Sequence, residues 1–521
     1  MIIPRGRHPA PWPLLMLDLA QLSASGHEPF PFRQVILKVH SRCNLSCSYC
    51  YVYEMADQGW RQLPNRMSAE VAAMAIDRIA AHATRHDLPS VDVILHGGEP
   101  LLAGAHWLSR FVTALRARVP VRVNVATQTN GTVLDVAMLK VLKELEVRVG
   151  VSLDGDAEAT ARHRRFANGR NSFDAVAEGL ALLDSADFRE CYSGLLCTVD
   201  VRSDPVANYE ALLKFNPPAI DFLLPHANWS CPPPGSGYAD WLISVFDRWY
   251  SAPQQETIIR LFSELIQLVL GRPGGVEGLG LLPSALIVID TDGAIRQLDS
   301  LSSTYPGASD TGLHIFSNSL DEALTHPTTV ARQIGAAALS PQCLACSVME
   351  ICGGGQYPHR YRDGEGFRNP SVYCGDLLRL IEHVRDRVHA DIRRLIVLVD
   401  ERLDLSGQPD PLGRRAGLRM FQSEGLRIPP EHIVSPLVGH GLITHRGLID
   451  GEVSGRHESV RMIVSEYGAA AGEKFIAELN RLPEPAAYSQ IADVVDARRE
   501  GTRMLVAVEP EKHPSRLLID R

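Results

Sequence analysis

A β-branched run, Val35-Ile36-Leu37-Lys38-Val39, leads directly into His40-Ser41-Arg42-Cys43-Asn44-Leu45-Ser46-Cys47-Ser48-Tyr49-Cys50-Tyr51. The run predicts a strand, and the three thiols after it predict a loop that leads into a helix. Three thiolates can ligate three irons of a [4Fe–4S] cluster and leave the fourth iron open. The alternative is a structural Cys3His zinc site that uses His40, but this histidine precedes the loop on strand-like sequence and lacks a common zinc spacing.

The alternation of strand and helix continues after this loop. β-branched runs predict six strands, at Val35–Val39, Val91–Leu95, Val121–Ala126, Val147–Leu153, Leu195–Val199 and Ile220–Leu224. Amphipathic stretches between them predict helices such as Ser68–His82, Trp107–Ala117 and Ser172–Leu183. Six βα units are too few for a closed eight-unit barrel. We therefore expect an α/β fold built on an open, partial (β/α)6 parallel barrel, with its active residues at the carboxyl ends of the strands.

Glycine-rich and polar motifs follow three further strands. They read His96-Gly97-Gly98-Glu99-Pro100, Thr129-Asn130-Gly131 and Ser152-Leu153-Asp154-Gly155. Glycines let backbone carbonyls approach a ligand closely, and a carboxylate such as that of Glu99 can complement an ammonium group. Taken alone, the Gly-Gly motif is also compatible with an ordinary βα turn.

A second group of cysteines lies far downstream of the first. It consists of Cys343, Cys346, Cys352 and Cys374. Four thiolates make a closed site with no open position, so this spacing suits either structural zinc or a [4Fe–4S] cluster.

The composition limits the classes of function. The chain has 521 residues, is 45% hydrophobic and carries a formal charge of −9 without a long charged run. A chain of this length and composition can bury a large core. Its sequence has no basic run of the kind that binds nucleic acid or an anionic membrane. We find neither a signal peptide nor a run of the roughly 20 apolar residues that a membrane span needs, so we expect a cytoplasmic protein. Seven of its ten cysteines fall in the two groups, which in a reducing compartment favours metal ligation.

The first cysteine group, with Tyr49 before its third cysteine, resembles the C-x3-C-x2-C signature of the radical S-adenosylmethionine (SAM) superfamily. The motifs at the later strand ends resemble segments that border the SAM site in that superfamily. The resemblance implies SAM as a cofactor, with cofactor-binding residues Tyr49, Gly97, Gly98, Glu99, Asn130, Ser152 and Asp154. It also implies that either Arg164 or Arg165 pairs with the SAM carboxylate, although a solvated helix face would explain both arginines as well.

The second cysteine group resembles the SPASM domain of radical SAM enzymes that act on peptides. The full SPASM pattern has seven cysteines for two auxiliary clusters, whereas the other ligand positions here hold Thr291, Leu298 and Gln356. The resemblance therefore implies that one auxiliary cluster is lost. It implies two [4Fe–4S] clusters in all, one on Cys43, Cys47 and Cys50 and one on the four downstream cysteines.

Residues 292–299 resemble a SPASM hairpin in which an aspartate serves as general base in some members. Asp299 is thus the candidate catalytic base, and its alternative role is that of a turn or helix-capping residue before Ser300.

The sequences 37–54, 195–200 and 221–226 resemble FxsB-type radical SAM/SPASM maturases, and the resemblance covers about residues 30–390. Members modify ribosomally made precursor peptides, and several related enzymes join an aromatic ring carbon to a β-carbon to form a cyclophane. The implied partners are a precursor peptide and an electron donor such as flavodoxin or ferredoxin. Thioether formation, formylglycine formation and a noncatalytic iron–sulfur scaffold that binds peptides remain open alternatives.

The domain organisation follows from these motifs and from the Pro- and Gly-bearing connectors. We expect an N-terminal arm (1–33) with a short helix over Leu14–Leu22, the radical SAM barrel (34–240), a helical bridge (241–285), a SPASM-like module (286–394) and a C-terminal extension of unknown role (395–521).

Overall fold

A computed structural model describes residues 8–404 apart from residues 273 and 276, and it describes side chains as far as residue 391. The C-terminal extension expected over 395–521 lies outside the described residues, except that one helix reaches Asp404. Within the described chain, no helix is both long and apolar enough to cross a membrane.

The described strands form one ten-stranded sheet. They are β1 Gln34–His40, β2 Ser90–Gly97, β3 Arg122–Thr129, β4 Val147–Ser152, β5 Tyr192–Thr198, β6 Ala219–Leu223, β7 Ile258–Ile259, β8 Leu286–Ile289, β9 Ala294–Arg296 and β10 Asp310–His314. Their order is β10-β9-β8-β1-β2-β3-β4-β5-β6-β7, and the pairs from β1 to β7 are all parallel. The six predicted strands are confirmed, and so is the partial (β/α)6 barrel.

Helices alternate with the strands of the barrel. The described α-helices are α1 Pro11–Leu14, α2 Leu19–Ala24, α3 Ala69–Arg85, α4 Ala105–Arg118, α5 Val136–Glu144, α6 Ala157–His163, α7 Phe173–Asp184, α8 Pro205–Leu213, α9 Tyr238–Tyr250, α10 Arg260–Val269, α11 Leu320–Leu324, α12 Pro327–Ala331, α13 Pro341–Leu344, α14 Met349–Cys352 and α15 Cys374–Asp404. The three predicted barrel helices are confirmed with shifts of one to three residues at their ends. Their apolar faces bury the core, for example through Ile76 and Ile79 of α3.

The N-terminal arm departs from the prediction of one helix over Leu14–Leu22. It forms two short helices, α1 and α2, separated by the turn at 15–18. The Asp18 side chain accepts a hydrogen bond from the backbone N–H of Gln21 and so starts α2 as its N-cap. Because a cap requires non-helical backbone at its own position, a continuous helix cannot pass through Asp18.

Strands β8 and β9 form a hairpin at the segment 292–299 that resembles a SPASM hairpin, but this hairpin is not a separate sheet. β8 pairs in parallel with β1, and β9 turns back against β8, so the auxiliary module extends the sheet of the barrel. This connection places the residues that follow β9 beside the carboxyl end of β1. We use the name auxiliary module for residues 286–391.

The helical bridge packs the auxiliary module against the other edge of the barrel. Helices α9 and α10 contact α15, and their buried aromatic side chains include Phe246, Trp249 and Phe262. Helix α15 begins at Cys374 and continues across residue 395, where a domain boundary was expected. That boundary stays a prediction, since the residues after 404 are not described.

Candidate active site

The first cysteine group lies on the loop after β1, and the three thiols are half-buried there. The loop is held by backbone hydrogen bonds from Ser46 N–H to the carbonyl of Arg165 (2.7 Å) and from Ser48 N–H to the carbonyl of His163 (3.2 Å). Burial raises the pKa of the Cys43 and Cys47 thiols to about 11. A buried thiolate therefore needs a nearby positive charge, which an iron–sulfur cluster supplies.

The Gly97-Gly98 pair brings the end of β2 against this loop. A Cβ on Gly97 would lie 2.1 Å from the carbonyl oxygen of His40, and one on Gly98 would lie 2.6 Å from the backbone of Arg42. The N–H of Gly98 donates to the His40 carbonyl at 2.8 Å. Close packing of backbone on backbone thus explains both glycines, in addition to the ligand approach that the motif predicts.

Glu99 lies fully buried among the strand ends. Its carboxylate accepts hydrogen bonds from Thr129 Oγ1 (2.7 Å), from the backbone N–H of Asn130 (2.7 Å) and from that of Leu101 (3.0 Å). Burial raises the pKa of Glu99. The amide of Asn130 reaches the Cys43 sulfur at 3.5 Å, so this network ties the ends of β2 and β3 to the cysteine loop.

Tyr49, Asp154 and Arg164 form a second buried group beside the loop. The Tyr49 hydroxyl donates to Asp154 Oδ2 at 2.5 Å and accepts from Arg164 at 3.0 Å. The Arg164 Nε–H is buried and has no hydrogen-bond partner among the described residues. An unpartnered buried guanidinium N–H is suited to an anionic ligand.

The other predicted cofactor residues lie in different settings. Ser152, at the end of β4, accepts a hydrogen bond from Gln128 Nε2 at 3.0 Å. Arg165 is exposed, and its guanidinium donates to the carbonyl of Gly169. The structure therefore brings Arg164, and not Arg165, together with Tyr49 and Asp154.

Asp299 lies in the mouth of the barrel, where the auxiliary module meets β1. Lys38 Nζ is 2.5 Å from Asp299 Oδ1, and the Tyr51 hydroxyl donates to Oδ2 at 2.9 Å. Burial opposes the charged carboxylate, but Lys38, His96 and Tyr51 outweigh it, so the pKa of Asp299 is lowered. Asp299 is thus ionised at neutral pH. Its side chain makes these contacts across the site and does not cap the short 3-10 helix Asp299–Ser303.

His96 and His226 lie beside this carboxylate, and the ring of His359 lies 6.2 Å from that of His226. His96 Nδ1 is 3.7 Å from Asp299 Oδ2, and the ring of His226 packs edge-on against Tyr51. Burial lowers the pKa of His96, and it lowers that of His226 to about 4, so both imidazoles are neutral at pH 7. Among the described residues, Nδ1 of His96, Nδ1 of His226 and Nε2 of His359 have no hydrogen-bond partner. Buried polar atoms of this kind suit contact with a polar substrate.

The second cysteine group comes together from three segments of the auxiliary module. Cys343 lies on α13, Cys352 ends α14, and Cys374 begins α15. The Cys374 thiol interacts electrostatically with Cys343 and Cys346, and Cys352 interacts with Cys343 and Cys374. These interactions place all four thiols around one site. The positions that lack cysteine, Thr291, Leu298 and Gln356, supply no thiolate there.

A buried arginine accompanies this site. The Arg360 guanidinium donates to the carbonyls of Gly353, Gly354 and Gly355 at 2.6–3.0 Å, which fixes the glycine loop after Cys352. Its positive charge also interacts favourably with the thiolates of Cys343 and Cys352.

The donor sets of both cysteine groups fit a [4Fe–4S] cluster. Three thiolates after β1 would leave one iron open, and the four thiolates of the auxiliary module would close the second site.

Comparison with known proteins agrees with this geometry. Residues 37–200 match the family model of the radical SAM superfamily. The chain therefore contains a radical SAM domain. The matched residues contain the first cysteine group and all of the predicted SAM-binding residues, whereas the role of each residue stays a prediction.

Similar proteins include two anaerobic sulfatase-maturating enzymes. The cysteine-type enzyme of Clostridium perfringens is 25% identical over 286 residues, which cover 52% of this chain and 74% of that enzyme. The serine-type enzyme of Bacteroides thetaiotaomicron is 22% identical over 396 residues, covering 70% of this chain and 92% of that enzyme. A solved structure of native anSMEcpe with bound AdoMet and Cp18Cys peptide has a TM-score of 0.58 at 20% identity, covers 68% of this chain and 97% of that chain, and so shares the fold.

Sequence reasoning assigned no role to Lys38, His96, His226 or Arg360. A signal for Lys38 was present, because it is a lysine within an otherwise apolar strand that is buried in the sheet. His96 and His226 each follow a predicted strand, where the fold places active residues. Arg360 has no comparable signal, because its role depends on the shape of a loop.

Proposed function

We propose that this radical SAM enzyme removes two hydrogens from side chains of a ribosomally made precursor peptide and joins an aromatic ring carbon to a β-carbon. One observation carries the proposal: Tyr51, the residue after Cys50, donates a hydrogen bond to Asp299. The candidate base therefore touches the loop of the first cysteine group. Hydrogen abstraction and proton removal would then occur in one buried pocket.

The residues that would hold the cofactors are distinct. Cys43, Cys47 and Cys50 would ligate a [4Fe–4S] cluster with one open iron, and the four downstream cysteines would hold a second cluster. When bound, SAM and the first cluster supply a radical that abstracts hydrogen from an unactivated carbon, with the electron coming from a donor such as flavodoxin or ferredoxin. Arg164, with its unpartnered N–H, would bind the carboxylate of SAM.

Asp299 would accept the proton that leaves the peptide when the crosslink closes, and the second cluster would accept the electron that is lost with it. Because its pKa is lowered, the carboxylate is charged and ready before the reaction begins. Lys38 would hold the carboxylate in place, and the neutral His96 and His226 would offer their ring nitrogens to the peptide. Lys38 and Asp299 are both buried, which supports a pocket that admits little water and would protect a carbon radical.

A second candidate function is the oxidation of Cys or Ser to formylglycine. The similarity to sulfatase-maturating enzymes supports it, and it needs the same hydrogen abstraction and the same base. The two reactions differ in their product, since formylglycine carries an aldehyde and a cyclophane does not.

The test uses full-length protein reconstituted anaerobically in reductant, with SAM and a peptide encoded by a short reading frame beside the gene. We expect 5′-deoxyadenosine and a modified peptide that is two hydrogens lighter. This peptide should not react with an aldehyde reagent, and in tandem mass spectrometry its backbone should give no fragments between the two crosslinked residues. An aldehyde in the product would favour formylglycine formation. A protein that makes no 5′-deoxyadenosine would be a noncatalytic scaffold.

We expect the enzyme to work in the cytoplasm, where a reducing environment preserves its clusters.

A further inference from the structure

Two histidines and an aspartate meet where the auxiliary module contacts a barrel helix. His82 and His86 lie one turn apart on α3, so both face the same side of the helix, and Asp321 lies on α11. His82 Nδ1 is 2.6 Å from Asp321 Oδ1, and His86 Nε2 is 2.7 Å from the same oxygen. The side chains are 3%, 24% and 16% exposed, respectively, so the group is largely shielded from water.

The second nitrogen of His82 fixes its tautomer. Nε2 lies 3.1 Å from the carbonyl oxygen of Phe32, and a carbonyl can only accept, so Nε2 must carry a proton. A neutral His82 then directs the lone pair of Nδ1 at a carboxylate oxygen 2.6 Å away. Two lone pairs this close repel each other unless a proton or a metal ion lies between them. In metal sites, a histidine that binds the ion through one ring nitrogen commonly donates the N–H of its other nitrogen to a carbonyl, as Nε2 of His82 does here.

The two histidines converge on one oxygen atom. His82 Nδ1 and His86 Nε2 both approach Asp321 Oδ1, so a single ion between the three side chains would contact all of them.

We propose that His82, His86 and Asp321 bind a divalent transition-metal ion of the zinc class, which fastens the auxiliary module to α3. Two imidazoles and one carboxylate are a common zinc ligand set, with water in the fourth position. Zinc bonds of about 2.0–2.1 Å would place the ligand atoms roughly 3.3 Å apart, so the side chains would move outward by less than about 1 Å. The site is separate from both cysteine groups, and it does not depend on the proposed reaction.

The surroundings leave room for this ion. The second oxygen of Asp321 faces Arg85 at 3.5 Å, and the Arg85 side chain is 70% exposed and free to turn away. Glu322, the neighbouring acid on α11, is engaged with Ser319 and Asn318. Arg78 donates to the carbonyl of Ile315 at 2.7 Å, so α3 and the auxiliary module are already in contact beside the site.

The test measures zinc bound by the full chain after both clusters have been reconstituted. Wild type, His86→Gln and Asp321→Asn are equilibrated with micromolar zinc, desalted and analysed for zinc and iron by mass spectrometry. His106→Gln, which changes an exposed histidine on α4, is the matched control. We expect one zinc per chain in wild type and the control, at least ten-fold weaker binding in the two site variants, and the same iron content in all four proteins.

Two outcomes would overturn the proposal. Zinc bound equally by all four proteins would show that the metal binds elsewhere. If wild type bound no zinc, His82, His86 and Asp321 would be an ion pair that shares a proton. A second measurement guards against unfolded variants: zinc should raise the melting temperature of wild type and His106→Gln but not that of His86→Gln. A rise in all three would also count against the site.

Discussion

At the residue scale, the pairing of Lys38 with Asp299 sets the chemistry of the pocket. Lys38 belongs to the first strand of the barrel, and Asp299 follows the hairpin of the auxiliary module. Both are buried, so each needs the other to carry its charge there. The pair keeps the candidate base ionised and fixes it beside Tyr51.

Asp299→Asn should separate SAM cleavage from product formation. The amide keeps the size of the side chain but cannot accept a proton, so product should fall by roughly 10²–10⁴-fold while 5′-deoxyadenosine persists. Both are measured by chromatography of one reaction. Asp292→Asn is the control, since Asp292 lies in the same hairpin and its side chain accepts a local hydrogen bond from the N–H of Ala294.

The variant also leaves the Lys38 ammonium buried without its partner, which destabilises a protein. The double variant Lys38→Met/Asp299→Asn removes that charge and should behave as the single variant does. Unchanged product formation in either protein would remove Asp299 from the mechanism. A parallel loss of SAM cleavage would make it a residue that holds the hairpin or the peptide.

Lys38→Met should change the pH dependence of product formation. Without the ammonium, burial dominates and the pKa of Asp299 rises. A base works only above its pKa, so the acid limb of the pH–rate profile should move to higher pH. An acid limb that does not move would show that Asp299 is not the group that titrates in it.

The residues of the site were predictable in part. Cysteine and glycine motifs are local in sequence, so their positions could be read directly, and the structure places Tyr49 and Asp154 in contact. The contact of Asp299 with Lys38 joins positions far apart in the chain, and sequence spacing carries no information about it. The choice between Arg164 and Arg165 depended on the direction in which the chain leaves α6.

At the element scale, the six strands and their helices were predictable because buried parallel strands and amphipathic helices have clear periodicities. The break between α1 and α2 was missed, because the capping role of Asp18 competes with a helical pattern that spans it. The pairing of β8 with β1 was also missed, since it depends on how the chain returns from the helical bridge.

Gly98→Ala tests the packing of β2 against the cysteine loop. The added Cβ would lie 2.6 Å from the backbone of Arg42, which cannot move as freely as a side chain. We expect a loss of about 1–3 kcal/mol in the free energy of unfolding, measured by urea denaturation under anaerobic conditions. Gly375→Ala is the control, because its Cβ meets no atom within 4 Å. Equal free energies of unfolding of the two variants would show that the cysteine loop after β1 moves enough to accommodate the added methyl group.

At the scale of the whole molecule, the number of clusters follows from the two cysteine groups. Reconstituted protein should bind about eight irons per chain, as two four-iron clusters require. Iron and sulfide analysis measures this directly. A content near twelve would mean that a third cluster binds without the cysteines missing at Thr291, Leu298 and Gln356.

The role of the first cysteine group can be measured by comparing wild type with a variant in which Cys43, Cys47 and Cys50 are all replaced by Ala. Each protein is reconstituted, reduced and incubated with SAM, and 5′-deoxyadenosine is quantified. We expect the variant to make none and to keep about four irons on the second cysteine group, because only the first group offers an open iron. Persistent 5′-deoxyadenosine from the variant would mean that SAM is cleaved at another site and that the first cysteine group does not hold the catalytic cluster.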